Sequence, residues 1–158
     1  MSDLNQSIQE ALSKTIAQLL STMIPMHYDV TGSGTGFEED STSYLLGNIK
    51  VKGQLMGSLS VSIPHELALD MTSRMLEEPI EDVGDDVYET VAEIINIIAG
   101  GVKSELSAES ELFELGLPQV IELDHAPAHL LDNPFRLHVP INTESGCFVL
   151  FSTLHETQ

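Results

Sequence analysis

Apolar side chains recur at helical spacing in three segments of the chain. Over residues 4–24 they mark one face of an amphipathic helix that ends at Pro25: Leu4, Ile8, Leu12, Ile16, Leu19 and Leu20. Residues 65–76 follow Pro64 and predict a second helix, in keeping with the preference for proline near a helix start. Residues 85–109 predict a third, longer helix, and the acids at its start favour the positive end of the helix dipole.

Strand-like runs of hydrophobic residues lie between and after these helices. Residues 43–51 and 54–63 predict a hairpin, with alternating apolar positions near its end. Three further runs predict strands: residues 118–123, 135–141 and 147–154. Residues 32–42 are rich in Gly, Ser and acid, and they predict a mobile loop.

The order of these elements predicts the fold class. A helix, strands, two helices and more strands indicate one α+β domain over residues 1–158. The expected architecture has two layers, a largely antiparallel sheet with three helices packed on one face. At 158 residues the chain is long enough to bury a core without disulfides or metals.

Charge is the unusual feature of the composition. The chain carries 25 acids against 6 Lys plus Arg, a formal net charge of -19. Such a surface repels phosphate backbones and anionic lipid headgroups, so binding to nucleic acid or to a membrane is disfavoured. It favours a partner with a basic patch, although an acidic surface serves solubility equally well.

Three features bear on the compartment. The N-terminus has no basic region before an apolar core, so it is not a secretory signal. The longest apolar stretch, residues 94–102, is too short to span a bilayer. Cys147 is the single cysteine, which suits a reducing compartment, and it is predicted to be a small buried hydrophobe within a strand. These features predict a soluble, cytoplasmic protein.

The third predicted helix has two unlike faces. Its core face carries apolar residues: Val87, Val91, Ile94, Ile95, Ile98, Val102 and Leu106. The opposite stripe carries polar or small residues: Glu89, Glu93, Asn96, Gly100 and Lys103. Glu93 and Asn96 are three residues apart, so both side chains emerge from one face and can address one small target. Gly100 and Gly101 are costly in a helix interior. They suggest close approach, either by another molecule or by another element of the same protein.

This helix resembles that of the CheC/CheX family of chemotaxis phosphatases. The resemblance is clearest over residues 91–106, VAEIINIIAGGVKSEL. The family's signature is an E-x-x-N pair, a Gly one turn later and a downstream Pro. In this chain these positions are Glu93, Asn96, Gly100 and Pro118.

The resemblance extends over most of the chain, with some departures. Residues 63–87 are similar to the family's preceding helix and acidic connector. Glu89 stands where the family often has Asp or Ser. CheC-type members carry a second E-x-x-N on the N-terminal helix, whereas this chain has only Glu10 and Ser13 there. The chain is therefore more similar to CheX, with a single active centre.

The resemblance implies hydrolysis of the aspartyl phosphate on a CheY-like response-regulator receiver. Asn96 would position the attacking water, because a carboxamide both accepts and donates hydrogen bonds and carries no charge. Glu93 would pair with a lysine of the receiver; a role as general base is the less favoured alternative. These two are the predicted catalytic residues. No cofactor of its own is implied, and Mg²⁺ is expected on the receiver.

Two other functions remain open. One is a non-catalytic module that binds a receiver or another chemotaxis protein, and the other is an assembly domain related to the flagellar switch. The resemblance also implies a homodimer, for which the end of the last strand pair near Phe148 and Phe151 offers an exposed edge.

A metal site at the two histidines near residue 127 is disfavoured. His125 and His129 lie four residues apart with Asp124 and Asp132 nearby, which resembles metal-ligand spacing. Pro127 lies between them and makes a regular helix improbable. No metal ligand is therefore predicted.

Overall fold

The computed structural model describes residues 3–30, 35–37, 42–106 and 113–157. Its α-helices are α1 (Asp3–Gln18), α2 (His65–Leu76) and α3 (Asp85–Leu106). A π-helical turn, Leu19–Met23, continues α1, and a 3₁₀ helix spans Ala128–Asp132. The strands are β1 (Tyr28–Val30), β2 (Tyr44–Gly53), β3 (Leu55–Pro64), β4 (Phe113–Leu115), β5 (Gln119–Leu123), β6 (Leu137–Thr143), β7 (Gly146–Ser152) and β8 (His155–Glu156).

One antiparallel sheet forms the second layer of the fold. Its order is β1-β6-β7-β3-β2-β4, with β5 paired to β2 and β8 paired to β3. The predicted hairpin is the β2–β3 pair, in which Leu45 lies opposite Ile63 and Val51 lies opposite Gly57. The three helices pack on one face of this sheet and share one apolar core with it. The predicted α+β fold class is confirmed.

Helix α3 lies directly over β2. A Cβ at Gly47 of β2 would come within 3.0 Å of Val91 Cγ1 and 3.4 Å of Ile95 Cγ2. Six of the seven predicted core-face residues of α3 are each at most 1% exposed, and Leu106 is partly buried. The six are Val87, Val91, Ile94, Ile95, Ile98 and Val102. Burial of this face fixes how far α3 can rotate about its axis, and so fixes which side chains it presents to solvent.

The three shortest strands, β1, β4 and β8, are not predicted from the sequence and have two or three residues each. The other predicted elements are present with small shifts at their ends. Residues 107–109 of the predicted third helix, and most of the predicted loop over 32–42, lie outside the described residues. Cys147 lies in a strand as predicted, but it is only partly buried.

The predicted dimer edge at Phe148 and Phe151 is wrong. Strand β7 lies between β6 and β3, so it is not an edge of the sheet. Phe148 is 0% exposed within the core beneath the helices. Phe151 is 1% exposed on the other side of the strand, where the Phe37 ring lies 6.0 Å away between centroids. The homodimer itself stays a prediction.

Within the part of the chain that the structure describes, no helix combines the length and apolar character needed to cross a membrane.

Candidate functional site

Helix α3 starts in an acidic first turn and carries its polar stripe towards the C-terminus. The carbonyl of Gly84 accepts hydrogen bonds from the backbone N–H groups of Val87 and Tyr88, which begins the helix. Asp85 and Asp86 lie in that first turn, where the helix dipole favours negative charge. The predicted stripe faces outward: Glu89, Glu93, Asn96 and Gly100 are exposed, and Lys103 is half-buried.

Glu93 and Asn96 lie one turn apart on this stripe, and both side chains are exposed. Neither makes a hydrogen bond or an ion pair with any residue in the described ranges. The fold therefore presents an acid and an amide that it does not use internally. The Glu93 carboxylate can accept hydrogen bonds from a cationic group. The Asn96 carboxamide can both accept hydrogen bonds from, and donate them to, a polar group or a water molecule.

Gly100 and Gly101 are adjacent, but they have opposite surroundings. A Cβ at Gly101 would overlap Oγ1, Cγ2 and Cβ of Thr15, so this glycine lets α1 approach α3 closely. A Cβ at Gly100 would meet no atom of the described residues within 4 Å. Glycine in a helix interior costs about 1 kcal/mol relative to alanine. Internal packing accounts for this cost at Gly101 and leaves it unexplained at Gly100.

A polar cluster ties the start of α3 to strand β5. The Tyr88 hydroxyl donates a hydrogen bond to the Glu122 carboxylate. Burial, then the negative charge of Glu122 and this hydrogen bond, raise the pKa of Tyr88 above its ordinary value of 10.0. Nε2 of His65, at the start of α2, lies 2.8 Å from Oε2 of Glu122. No sequence pattern predicts this cluster, although strand alternation places Glu122 on the same face as Val120.

Pro118 comes immediately before β5, in the strand region that flanks α3. In the β2–β5 pairing, Val120 lies opposite Gly47, the residue on which α3 rests. The fold therefore brings the segment after Pro118 alongside the helix that carries Glu93 and Asn96. The elements that carry the predicted signature residues are neighbours in space.

Glu93 and Asn96 do not belong to a metal cluster within the described ranges. Among the described residues, no group of three or more His, Cys, Asp and Glu side chains is placed to hold a metal ion. His125 Nδ1 lies 3.0 Å from the backbone oxygen of Ala126, and Nε2 lies 3.8 Å from Asp124 Oδ1. Glu93 and Asn96 lie on the exposed face of α3, whereas sites that enclose a small molecule are concave.

These features define an α+β protein with an exposed acid–amide pair on a long helix. The family model for Chemotaxis phosphatase CheX matches residues 45–142, more than half of the chain, and the chain belongs to this family. The matched residues run from β2 into β6 and include all of α3 and Pro118.

Solved structures share the fold at low sequence identity. The chemotaxis protein CheX from Vibrio vulnificus has a TM-score of 0.76 and 20% identity, covering 94% of this chain and 99% of that chain. CheX in the CheX–CheY–BeF3–Mg²⁺ complex from Borrelia burgdorferi has a TM-score of 0.66 and 19% identity, covering 93% and 97%. Thermotoga maritima FliY has a TM-score of 0.63 and 16% identity, covering 96% and 90%. The comparison with curated proteins finds no match.

Proposed function

We propose that this chain is a protein phosphatase that hydrolyses the aspartyl phosphate of a CheY-like response-regulator receiver. The observation that carries the proposal is the Glu93–Asn96 pair, which is exposed and unused by the described fold, within the residues matched by the CheX family model. The fold likeness to CheX crystallised with CheY, BeF3 and Mg²⁺ supports a receiver as the partner.

Asn96 acts by positioning a water molecule. An aspartyl phosphate is a reactive acyl phosphate, so its hydrolysis needs a water held in line with phosphorus rather than a new nucleophile. The carboxamide oxygen accepts a hydrogen bond from that water, and the amide nitrogen donates one to a phosphoryl oxygen. Because the carboxamide carries no charge, it does not repel the phosphoryl anion.

Glu93 orients the two proteins. Its carboxylate pairs with a lysine of the receiver, and a charge-assisted hydrogen bond fixes the position of the neighbouring turn. Exposed acids along the first half of α3 add to the attraction for a basic surface: Asp85, Asp86 and Glu89. The negative charges thus lie on α3 before Asn96 and contact the basic surface of the receiver. The uncharged Asn96 faces the phosphoryl group.

The metal in this scheme belongs to the receiver. Mg²⁺ on the receiver neutralises charge on the phosphoryl group, and no step requires a metal or cofactor held by this chain. The Borrelia burgdorferi complex, which contains CheY and Mg²⁺, supports this division.

The test is decay of a phosphorylated CheY-like receiver from the same genome, with Mg²⁺ and a substoichiometric amount of this protein. Wild type is expected to accelerate the decay, and Asn96→Ala to lower the acceleration on the order of 100-fold, as loss of one positioned hydrogen-bonding group does elsewhere. Gln18→Ala removes an exposed amide from α1 and is the matched control, expected to act as wild type. Equal activity of Asn96→Ala and wild type would contradict the assignment.

A second candidate is a non-catalytic module that binds a receiver or serves in assembly. The observation behind this alternative is Glu89, which stands where the family often has Asp or Ser. Turnover separates the two functions, since a binding module cannot clear an excess of phosphorylated receiver. Stoichiometric binding with unaccelerated decay would favour the second candidate.

A further inference from the structure

We infer that Gly100 is the point where the receiver's surface comes closest to α3, and that its missing side chain sets the distance at which Asn96 works. The inference rests on the proposed function and adds a positioning residue to it. No contact of Gly100 with the phosphoryl group is implied.

The described part of the fold does not call for glycine at this position. Gly100 lies six residues before the end of α3 at Leu106, so it is not a helix cap. It is exposed, and a Cβ built there has no neighbour within 4 Å in the part of the chain that the structure describes. An alanine would fit without any shift of the structure and would favour the helix. A residue that weakens its own helix without an internal reason is expected at a functional site.

At the neighbouring Gly101, by contrast, packing within the protein explains why the residue is glycine. Gly101 faces α1, where any side chain would overlap Thr15. Residues 100 and 101 point about 100° apart around the helix, so the constraint from α1 does not reach Gly100. None of the described residues accounts for the missing side chain, so we assign it to a molecule that binds this face of α3.

The direction of helical side chains connects Gly100 to Asn96. In an α-helix the Cα–Cβ bond tilts towards the N-terminus, and a side chain covers the turn before its own Cα. A side chain at position 100 would therefore extend over the turn that carries Asn96, four residues earlier. It would occupy space that the partner needs in order to reach the amide.

The short reach of asparagine makes this space important. Only one methylene separates the Asn96 carboxamide from the backbone, so a receiver must come down almost to the helix surface for the amide to touch its phosphoryl site. A displacement of roughly 1 Å is enough to cost on the order of 100-fold in a reaction that depends on positioning. Adding one methyl group at position 100 imposes a displacement of this size.

The experiment compares Gly100→Ala and Gly100→Leu with wild type in the receiver assay. Gly100→Ala is expected to raise Tm by about 2–4 °C and to lower kcat/KM on the order of 10-fold or more. Gly100→Leu is expected to lower kcat/KM further. Ala17→Leu adds similar bulk to an exposed position of α1 and is the matched control, expected to leave kcat/KM unchanged.

Wild-type activity in both Gly100 variants would overturn the inference and leave the proposed function standing. Absence of acceleration by wild type would instead count against the proposed function.

A longer amide at position 96 distinguishes a role of Gly100 in setting the distance to the receiver from a role in helix stability alone. Asn96→Gln alone extends the amide by one methylene and is expected to be slow. Combined with Gly100→Ala, the longer arm compensates for the larger separation, and the double variant is expected to be faster than the product of the two single effects predicts. Simple multiplication of the two losses would overturn the role of Gly100 in setting the distance.

Discussion

Helices α1 and α3 pack against each other on one face of the sheet, yet the fold engages their polar faces differently. On α1, Gln6 Nε2 lies 3.4 Å from Glu10 Oε1, and Lys14 Nζ forms a 3.1 Å ion pair with Glu105 Oε1 of α3. On α3, Glu93 and Asn96 have no such partner in the described parts of the chain. Two amphipathic helices of similar design therefore differ in what they leave available to another molecule.

Helices α1 and α3 show that the burial of one helix face and the use of the opposite face are separate properties. Periodicity identifies the buried face, and it does so equally well for both helices. It does not say whether the exposed face is merely solvated or serves a partner. That distinction depends on which side chains the fold already uses, and α1 supplies a control for α3 within one molecule.

Among the tests that compare the two helices, the largest expected effect comes from matched acid-to-amide changes. Glu93→Gln removes the proposed contact with a receiver lysine and is expected to lower kcat/KM on the order of 10- to 100-fold, the range for one charged hydrogen bond. Glu10→Gln removes the same charge from α1 and is expected to leave kcat/KM unchanged. The measurement is receiver dephosphorylation at several receiver concentrations and at two ionic strengths.

Salt dependence sharpens this result. The wild type and Glu10→Gln are expected to lose activity as ionic strength rises, and Glu93→Gln is expected to lose less. Equal losses in the two variants at low salt would mean that overall negative charge attracts the receiver. The difference between α1 and α3 would then have no functional meaning.

The sequence was sufficient for most of the fold because its main elements are long and periodic. Helix α2 has the predicted bounds: Pro64 precedes it, and Glu77 after it adopts a left-handed conformation at φ 57°. The buried and exposed faces of α3 follow from its spacing alone. The short strands β1, β4 and β8 carry no period of their own, and they exist because they pair with β6, β2 and β3.

The candidate site was predictable in part for the same reason. One helix carries Glu93 and Asn96, so a local pattern is enough to place them on one face. The contact of Tyr88 with Glu122 joins α3 to β5 and depends on a sheet register that no local pattern specifies. The different surroundings of Gly100 and Gly101 depend on where α1 lies, so the sequence left both explanations for these glycines open.

A smaller effect, on stability, is expected where the two helices touch. Gly101→Ala forces a methyl group into Thr15 and is expected to lower the free energy of unfolding by about 1–3 kcal/mol. Gly100→Ala is expected to raise the free energy of unfolding. Urea unfolding measures both, and kcat/KM per folded molecule should be unchanged in Gly101→Ala.

The companion change Thr15→Ala makes this prediction specific. Removing the Thr15 side chain clears the space that a methyl group at position 101 needs, so the double variant should be more stable than the sum of the two single effects predicts. Additive losses would mean that Gly101 is not required by the packing of α1. Its difference from Gly100 would then need another explanation.

The smallest expected effect comes from giving α1 the missing amide. Ser13→Asn completes an E-x-x-N with Glu10, but Glu10 is already engaged by Gln6, and Ala17 occupies the position that Gly100 holds on α3. In the Asn96→Ala background, Ser13→Asn is therefore expected to restore no receiver dephosphorylation, with rates within about 2-fold of Asn96→Ala alone. If Ser13→Asn did restore activity, an acid and an amide one turn apart would be enough on any exposed helix. The open backbone at Gly100 and the unengaged acid at Glu93 would then be incidental to the chemistry.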